Sequence, residues 1–262
     1  AGRPDDAFGV AAAGAAVAAA ASAHGEAREL YATALRTAPA SVGPLDLAAL
    51  HERFAEQAAA TDANQQAALA YADAHRHYLA AGDRSAAAAV VAPMVSVQHL
   101  VGVDLAERLR SIDAAMDLLA GVADGVASES GRVAGIRARL LAERAAAYML
   151  DRRLDPAMIH ARAAIEAARA VADLTTERHA RTTLGVCEVF AGSMDTGWAH
   201  LVETTEAARD ERSEAAAARG YRMLGSCASV LVEYERGEHW LREGIAYAES
   251  VGLWNHRHYM AA

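Results

Sequence analysis

Histidines, cysteines and a row of arginines are the residues of this sequence whose types and spacing can support chemistry. There are eleven histidines and two cysteines. His75 and His77 are two residues apart, and so are His256 and His258. On a helix this spacing places the side chains on different faces, whereas metal-binding pairs need a spacing of three or four. The sequence therefore predicts no metal site.

The cysteines and two of the histidines recur at a distance of forty residues. Cys187 corresponds to Cys227, and His160 corresponds to His200. Two cysteines do not make a disulfide framework, which favours a reducing, cytoplasmic compartment. We expect both thiols to be buried as small apolar groups, and both histidines to have equivalent structural roles in successive repeats.

The sequence contains no recognisable catalytic or cofactor-binding motif. The Gly-x-Ser-x-Gly, His-Glu-x-x-His and Cys-x-x-Cys patterns do not occur. Lysine is absent, so all 25 basic residues are arginine, and a phosphate loop ending in Gly-Lys-Ser or Gly-Lys-Thr is excluded. We interpret the chain as a binding protein without a cofactor, and not as an enzyme.

Charge and hydropathy indicate neither a nucleic-acid-binding nor a membrane protein. The formal net charge is -9, which disfavours direct contact with a nucleic-acid backbone. Residues 10–21 form an alanine-rich apolar run that is too short to span a bilayer. Asp5 and Asp6 stand where a signal peptide would carry basic residues. The first residue is not Met and the last residues resemble a new helix, so we expect a piece of a longer protein.

A repeat with a period of forty residues organises the chain between residues 133 and 252. The matching pairs are Leu184 and Leu224, Gly185 and Gly225, Gly197 and Gly237, and Leu201 and Leu241. A period of this size is typical of a solenoid of helical hairpins. Glycines let two helices cross closely, and the leucines fill the space beside the crossing.

Cap and turn signals predict twelve helices in about six hairpins and no strand. We place the helices at residues 7–21, 26–37, 45–60, 64–80, 85–100, 105–119, 133–150, 156–172, 175–190, 196–209, 213–232 and 236–251. His24 and Gly25 are expected to break the first pair, and Pro93 to kink or divide the fifth helix. Asp155 is expected to cap a helix, and Gly252 to end one in the left-handed conformation.

The regularity of the repeat changes along the chain. Residues 1–121 form irregular helical repeats, residues 122–131 are the best candidate for a hinge, and residues 132–262 form the regular repeats. The hinge segment carries two glycines and two serines, which disfavour helix. We expect one continuous all-α solenoid, a right-handed α-α superhelix.

In such a solenoid the first helix of each hairpin lines the concave face. The repeat register places there Arg139, Glu143, His179, Thr182, Arg219, Arg222 and Ser226. This net basic row indicates a groove for an acidic peptide, a small anionic or polyhydroxylated effector, or another part of the same polypeptide. Ordinary solvated surface is the alternative. If the row binds, replacing Arg219 and Arg222 by Ala weakens binding and leaves the melting temperature nearly unchanged.

The repeats resemble the tetratricopeptide repeat. Leu184-Gly185 is similar to its Leu-Gly pair, Gly192 to its turn glycine and Gly197 to its small crossing residue, although the period of forty is longer. Residues 178–253 also resemble the helical-repeat region of large ATP-binding LuxR-type bacterial transcription regulators, through residues 183–185, Gly197 and residues 243–248. That resemblance implies a scaffold or sensor segment of a signal-transduction regulator. A free-standing protein-interaction adaptor is the alternative, and an enzyme is the third.

Overall fold

The computed structural model describes residues 4–120, 122 and 127–262, and this part of the chain is helical without a strand. Its helices are α1 (Pro4–Ala20), α2 (His24–Thr37), α3 (Pro44–Ala60), α4 (Asn64–Ala80), α5 (Arg84–Ala89), α6 (Val91–Leu100), α7 (Leu105–Ala120), α8 (Ala127–Leu150), α9 (Leu154–Ala170), α10 (Leu174–Phe190), α11 (Met194–Asp210), α12 (Glu214–Val230), α13 (Tyr234–Ser250) and α14 (Trp254–Ala261). Within each unit, consecutive helices pack against each other in hairpins, apart from α5 and α6. The all-α, TPR-like solenoid predicted from the repeat is confirmed.

The chain divides between residues 125 and 126 into two compact units. Of the predicted hinge, 122–131, residues 123–126 lie outside the described ones, and residues 127–131 belong to α8. Within the described residues, none of the helices combines the length and the apolar character that crossing a membrane requires.

The N-terminal unit contains α1 to α7. Polar side chains join its neighbouring helices: His24 Nδ1 lies 2.8 Å from Gln57 Oε1, Arg28 donates to Thr61 Oγ1, and the Tyr78 hydroxyl donates to Glu52. The predicted helix at 85–100 is divided at Val90 into α5 and α6. Pro93 lies in the first turn of α6, where its missing N–H costs no hydrogen bond.

The C-terminal unit is built on one strict module. Each helix from α9 to α13 has 17 residues and is followed by a three-residue turn. The module therefore repeats every 20 residues, and two modules give the period of forty seen in the sequence. Equivalent residues of successive hairpins consequently face the same way.

The middle residue of every such turn has a positive φ. These residues are Arg152 (59°), Ala172 (55°), Gly192 (91°), Arg212 (56°), Val232 (63°) and Gly252 (74°). Around Val232 the amide of Glu233 donates to Ala228 O and the amide of Val232 donates to Ser229 O, which is the Schellman pattern that satisfies the last helix carbonyls. The left-handed prediction at Gly252 is confirmed. Most of the other turns adopt this conformation without glycine.

Two predicted helix ends are wrong for the same reason. His24 and Gly25 do not break the first pair, because the turn is at Ser22 (φ 55°) and α2 already begins at His24. Asp155 does not cap α9, whose N-cap is Arg153. In both places the three-residue turn fixes the start of the next helix, whatever capping residue follows.

Among the glycines of the C-terminal unit, those at the crossing of α10 and α11 have the backbone of the other helix nearest to them. A Cβ added at Gly197 would lie 2.5 Å from Val189 N and 2.8 Å from Gly185 O. A Cβ added at Gly185 would lie 3.1 Å from Gly197 O and 2.9 Å from Leu201 Cγ. Leu184, Leu201 and Leu224 are buried, as predicted. Gly237 differs from its counterpart, because an added Cβ there would have its nearest neighbours at 3.6 Å.

Gly197 and Gly237 therefore form a matched pair at the same position of two repeats. Gly197→Ala is expected to lower the free energy of unfolding by at least about 1–3 kcal/mol, because backbone atoms must move apart. Gly237→Ala is expected to be neutral or to stabilise by up to about 1 kcal/mol, through its better helix propensity. Urea denaturation of both variants measures the difference, and equal effects contradict the crossing geometry.

Val232 is a branched residue held in the left-handed region, and its side chain is 61% exposed. Left-handed backbone costs about 1–2 kcal/mol for an L-residue. Glycine removes this cost but raises the entropy of the unfolded chain, which offsets part of the gain. Val232→Gly is therefore expected to stabilise the folded protein by up to about 1 kcal/mol. Val230→Gly, in the last helical residue, is the control and should destabilise. Thermal unfolding in which both variants lose stability equally would contradict this assignment.

Candidate functional site

The first helices of the C-terminal hairpins form one wall of the unit. Direct contacts link α8 to α10, α10 to α12 and α12 to α14, whereas no comparable contacts link α9, α11 and α13. Closer spacing on one side of a solenoid makes that side the inside of its curve. We call the surface of α8, α10, α12 and α14 the inner wall.

On α8 and α10 the predicted row is partly occupied by polar contacts within the protein. Arg139 is half exposed, and its Nε lies 3.7 Å from Asp173 Oδ2 at the start of α10. His179 Nε2 lies 3.5 Å from Glu143 Oε1, and both side chains are largely buried. These contacts bring Arg139, Glu143 and His179 into the seam between the two helices.

Two predicted members of the row differ from the others in their placement. Thr182 is buried, and its hydroxyl donates to Arg178 O of its own helix at 2.9 Å. It therefore does not present a polar group on the inner wall. Ser226 is half-buried, one turn beyond Arg222 on α12.

Arg219 ties α12 to α10. Its Nη1 donates to His179 O at 3.1 Å, and its Nη2 donates to Thr183 Oγ1 at 2.9 Å. Thr183 is fully buried and donates in turn to His179 O. Burial and the nearby Arg222 lower the pKa of Arg219 to about 10, against the opposing effect of Glu143. Arg219 is thus a structural residue of the repeat junction as well as a charge on the wall.

Arg222 lies at the next junction, between α12 and α14. Its guanidinium carbon is 4.9 Å from the centre of the Tyr259 ring, a distance at which a cation is attracted to an aromatic face. Its Nε is buried and makes no hydrogen bond among the described residues. Burial lowers the pKa of Arg222.

His256 and Tyr259 belong to this cluster, although the sequence analysis did not select them. His256 Nδ1 is buried without a hydrogen-bond partner in the part of the chain that is described. Burial, Arg222 and Arg219 lower the pKa of His256 to about 4. The repeat register does contain a signal for Tyr259, since positions 139, 179, 219 and 259 are equivalent.

The inner wall therefore concentrates positive charge in a partly desolvated place. The pKa of His179 is held well below its ordinary value by burial, Arg219 and Arg222. After burial, which is the largest cause, Arg222 lowers the pKa of Arg219, and both arginines lower the pKa of His179 and of His256, because a like charge disfavours protonation. Such an arrangement favours an anionic partner.

The two histidines that recur forty residues apart, His160 and His200, lie at equivalent places on α9 and α11, outside the inner wall. His160 stacks on Tyr148 at 5.6 Å between ring centres, and His200 Nδ1 lies 2.6 Å from Glu188 Oε2. Tyr148 and Glu188 are themselves one period apart. These contacts agree with the predicted structural role of both histidines in their hairpins.

Both cysteine thiols are buried, and burial raises the pKa of Cys187 and of Cys227 to about 12. They pack in one apolar cluster with Leu201 and Leu224. A thiol held protonated is a poor nucleophile, so this cluster is a packing core. Within the described residues, no three His, Cys, Asp or Glu side chains are arranged to hold a metal ion.

Comparison with known proteins identifies the fold. No protein-family model matches the sequence, and no curated protein matches it. The Rap conjugation gene regulator of the plasmid pLS20, solved in complex with the Phr* peptide, is similar with a TM-score of 0.68 and 12% identity over 95% of this chain. The match spans 64% of that Rap chain, which is less than two thirds of its length.

Two further structures have the same architecture. BtubC (BKLC) from P. vanneervenii gives a TM-score of 0.57 at 13% identity, covering 76% of this chain and 78% of that one. The apo form of RapI gives 0.56 at 12% identity, covering 97% and 95%. At such identities the likeness establishes the fold alone.

Because Arg219 makes contacts that join two helices, its replacement by alanine is expected to lower stability, whereas the sequence alone predicted an almost unchanged melting temperature. Arg219→Ala removes two charge-assisted hydrogen bonds between α12 and α10, and is expected to lower the free energy of unfolding by about 1–3 kcal/mol. Arg242→Ala, on the exposed side of α13 with a side chain that is 77% exposed, is the control and should change it by less than about 0.5 kcal/mol. Equal denaturation midpoints for the two variants would show that Arg219 is not structural.

Proposed function

We propose that this chain is a helical-repeat scaffold that binds an acidic segment of a protein or peptide partner on the inner wall of its C-terminal unit. The observation that carries the proposal is the cluster of His179, Arg219, Arg222 and His256, opposed by Glu143 alone among the carboxylates that influence their pKa values. These basic groups lie together on one surface, although the net charge of the protein is -9.

The chemistry of the cluster suits a carboxylate. Arginine offers a planar fork of donors that matches a carboxylate in two parallel hydrogen bonds. Because the cluster is partly buried, such bonds are screened by solvent far less than those of an exposed pair, which contributes only about 0–1 kcal/mol. An extended acidic peptide along α8, α10, α12 and α14 can meet several of these groups at once.

The comparisons support a binding role without assigning the ligand. The Rap regulator with a similar fold was solved with a peptide bound, which supports a peptide as the class of partner here. Binding is favoured over catalysis because the basic groups serve to attract an anion, and the two thiols are held protonated by burial. A small anionic effector is the second candidate, since the same cluster accepts any carboxylate.

The resemblance to LuxR-type ATP-binding regulators supports a place for the scaffold within a bacterial transcription or signal-transduction regulator. The full reading frame tests this part of the proposal. A phosphate loop upstream and a helix-turn-helix downstream are expected. A gene that encodes this repeat region alone would support a free-standing adaptor instead.

Binding is tested with three short labelled peptides, in which alanine alternates with glutamate, glutamine or lysine. The glutamate peptide is expected to bind at least about tenfold more tightly than the glutamine peptide, because one lost charge-assisted contact already amounts to about 1.4 kcal/mol. The lysine peptide should not bind. Fluorescence anisotropy at low ionic strength measures all three.

Matched arginine variants locate the site. Arg222→Gln is expected to weaken binding of the glutamate peptide about tenfold or more, whereas Arg242→Gln on α13 should leave it unchanged. Circular dichroism confirms that both variants are folded. Equal loss in the two variants would mean that net charge alone attracts the peptide, and equal affinity for the glutamate and glutamine peptides would overturn the proposal.

A further inference from the structure

The junction of α12 and α14 holds two buried polar nitrogens without hydrogen-bond partners, Arg222 Nε and His256 Nδ1. Buried donors and acceptors are almost always satisfied in folded proteins, and exceptions point to a bound water, an ion or a functional role. Two exceptions at one junction, on neighbouring helices of the inner wall, therefore mark a place where a polar group binds.

The surroundings of Arg222 determine which charge the bound polar group must carry. Its guanidinium rests on the Tyr259 ring and forms no ion pair among the described residues. The nearby Arg219 carries the same sign of charge, and its donors are used by His179 O and Thr183. Arg222 is thus a cation that is oriented by an aromatic face and lacks a counter-ion.

The surroundings of His256 decide its protonation. From α12 it faces Arg222 and Arg219, which disfavour a second positive charge. On its own helix lie Arg257, His258 and Tyr259, and the α13 carboxylate nearest this end, Glu249, is engaged by Arg257 at 2.9 Å. None of the carboxylates in the described part of the chain offsets the charge that His256 would gain, so the imidazole stays neutral while the junction is empty.

We infer that Arg222 and His256 together form a binding site for one carboxylate, and that its occupation is coupled to the uptake of one proton by His256. This inference rests on the proposed function and names the ligand group that the inner wall takes at its C-terminal end. The carboxylate accepts hydrogen bonds from the guanidinium of Arg222. The proton comes from solvent and makes His256 an imidazolium, the second donor to the same ligand.

The sign of the pH dependence follows from the two protonation states. The empty site binds the proton only near pH 4, whereas a bound carboxylate supplies the opposite charge and raises the pKa of His256. The bound state then holds more protons than the empty state. Affinity for the carboxylate therefore rises as pH falls from the pKa of the bound state to about 4, the pKa of the empty state, by up to about tenfold per pH unit.

The test follows the imidazole signals of His256 by NMR in the full chain, between pH values of about 8 and 3.5, a range that includes the pKa of about 4 of the empty site. Sodium acetate is compared with sodium chloride at the same ionic strength of about 0.1 M, so that screening is equal in both. Acetate is expected to raise the pKa of His256 by about one unit or more, which corresponds to a tenfold change in proton affinity. The exposed His258 on the same helix is the internal control and should not respond.

Arg222→Gln is the decisive variant. It should abolish the response to acetate and raise the pKa of His256 in chloride, because a like charge has been removed. His258→Gln, the matched control, should keep the full response. An equal pKa of His256 in acetate and chloride for the wild-type chain overturns the inference whether or not the variant folds, and so does a full response to acetate in Arg222→Gln.

Two peptides distinguish the sources of the carboxylate. One carries internal glutamates and an amidated C-terminus, and the other carries glutamines and a free C-terminal carboxylate. The peptide that raises the pKa of His256 identifies the source. A response to acetate without binding of either peptide would preserve the site and refute the proposed function, whereas peptide binding without a response of His256 would do the reverse.

Discussion

The three-residue left-handed turn is the constraint on which the C-terminal unit depends. Because it closes each 17-residue helix in the same way, every helix begins 20 residues after the previous one. Residues forty apart then occupy equivalent places, and Arg139, His179, Arg219 and Tyr259 come to lie along one surface. A turn of another length would rotate the next helix and disperse this row.

Despite this regularity, residues of successive repeats have different structural roles. Gly185 and Gly197 let α10 and α11 meet at backbone distance, whereas Gly237 leaves room for a side chain. Arg219 is anchored to α10, whereas Arg222 rests on an aromatic ring and has no acidic partner among the described residues. Two arginines of one helix thus have different surroundings, and two buried nitrogens without a hydrogen-bond partner among the described residues lie at the junction with α14.

The sequence was sufficient to predict the solenoid, because Leu184-Gly185 and Leu224-Gly225 recur forty residues apart in an alanine-rich chain. It was not sufficient for the turns, since Arg152, Ala172, Arg212 and Val232 are residue types that rarely adopt a positive φ. The left-handed conformation there is accompanied by hydrogen bonds to the last carbonyls of the preceding helix and joins helices that pack against each other. Such an effect is tertiary and leaves no local signal.

The sequence could not predict the site in full, because it does not determine how far each helix is rotated about its own axis. The register predicted that Arg139, His179, Arg219 and Arg222 lie in one row, but a difference of one residue turns a side chain by about 100°. Thr182 is consequently buried, whereas His179 on the same helix is only half-buried. His256 was judged by its spacing from His258, a criterion for metal binding that says nothing about two arginines on another helix.

Hydrogen–deuterium exchange of the chain with and without the glutamate peptide tests the central claim most directly. Partner binding on the inner wall predicts slower exchange in α10, α12 and α14, with α9, α11 and α13 unchanged on the side away from it. The short terminal helix α14 should show the largest relative protection, because it has the fewest neighbours in the free chain. Protection confined to α9, α11 and α13, or equal throughout the unit, would contradict the account.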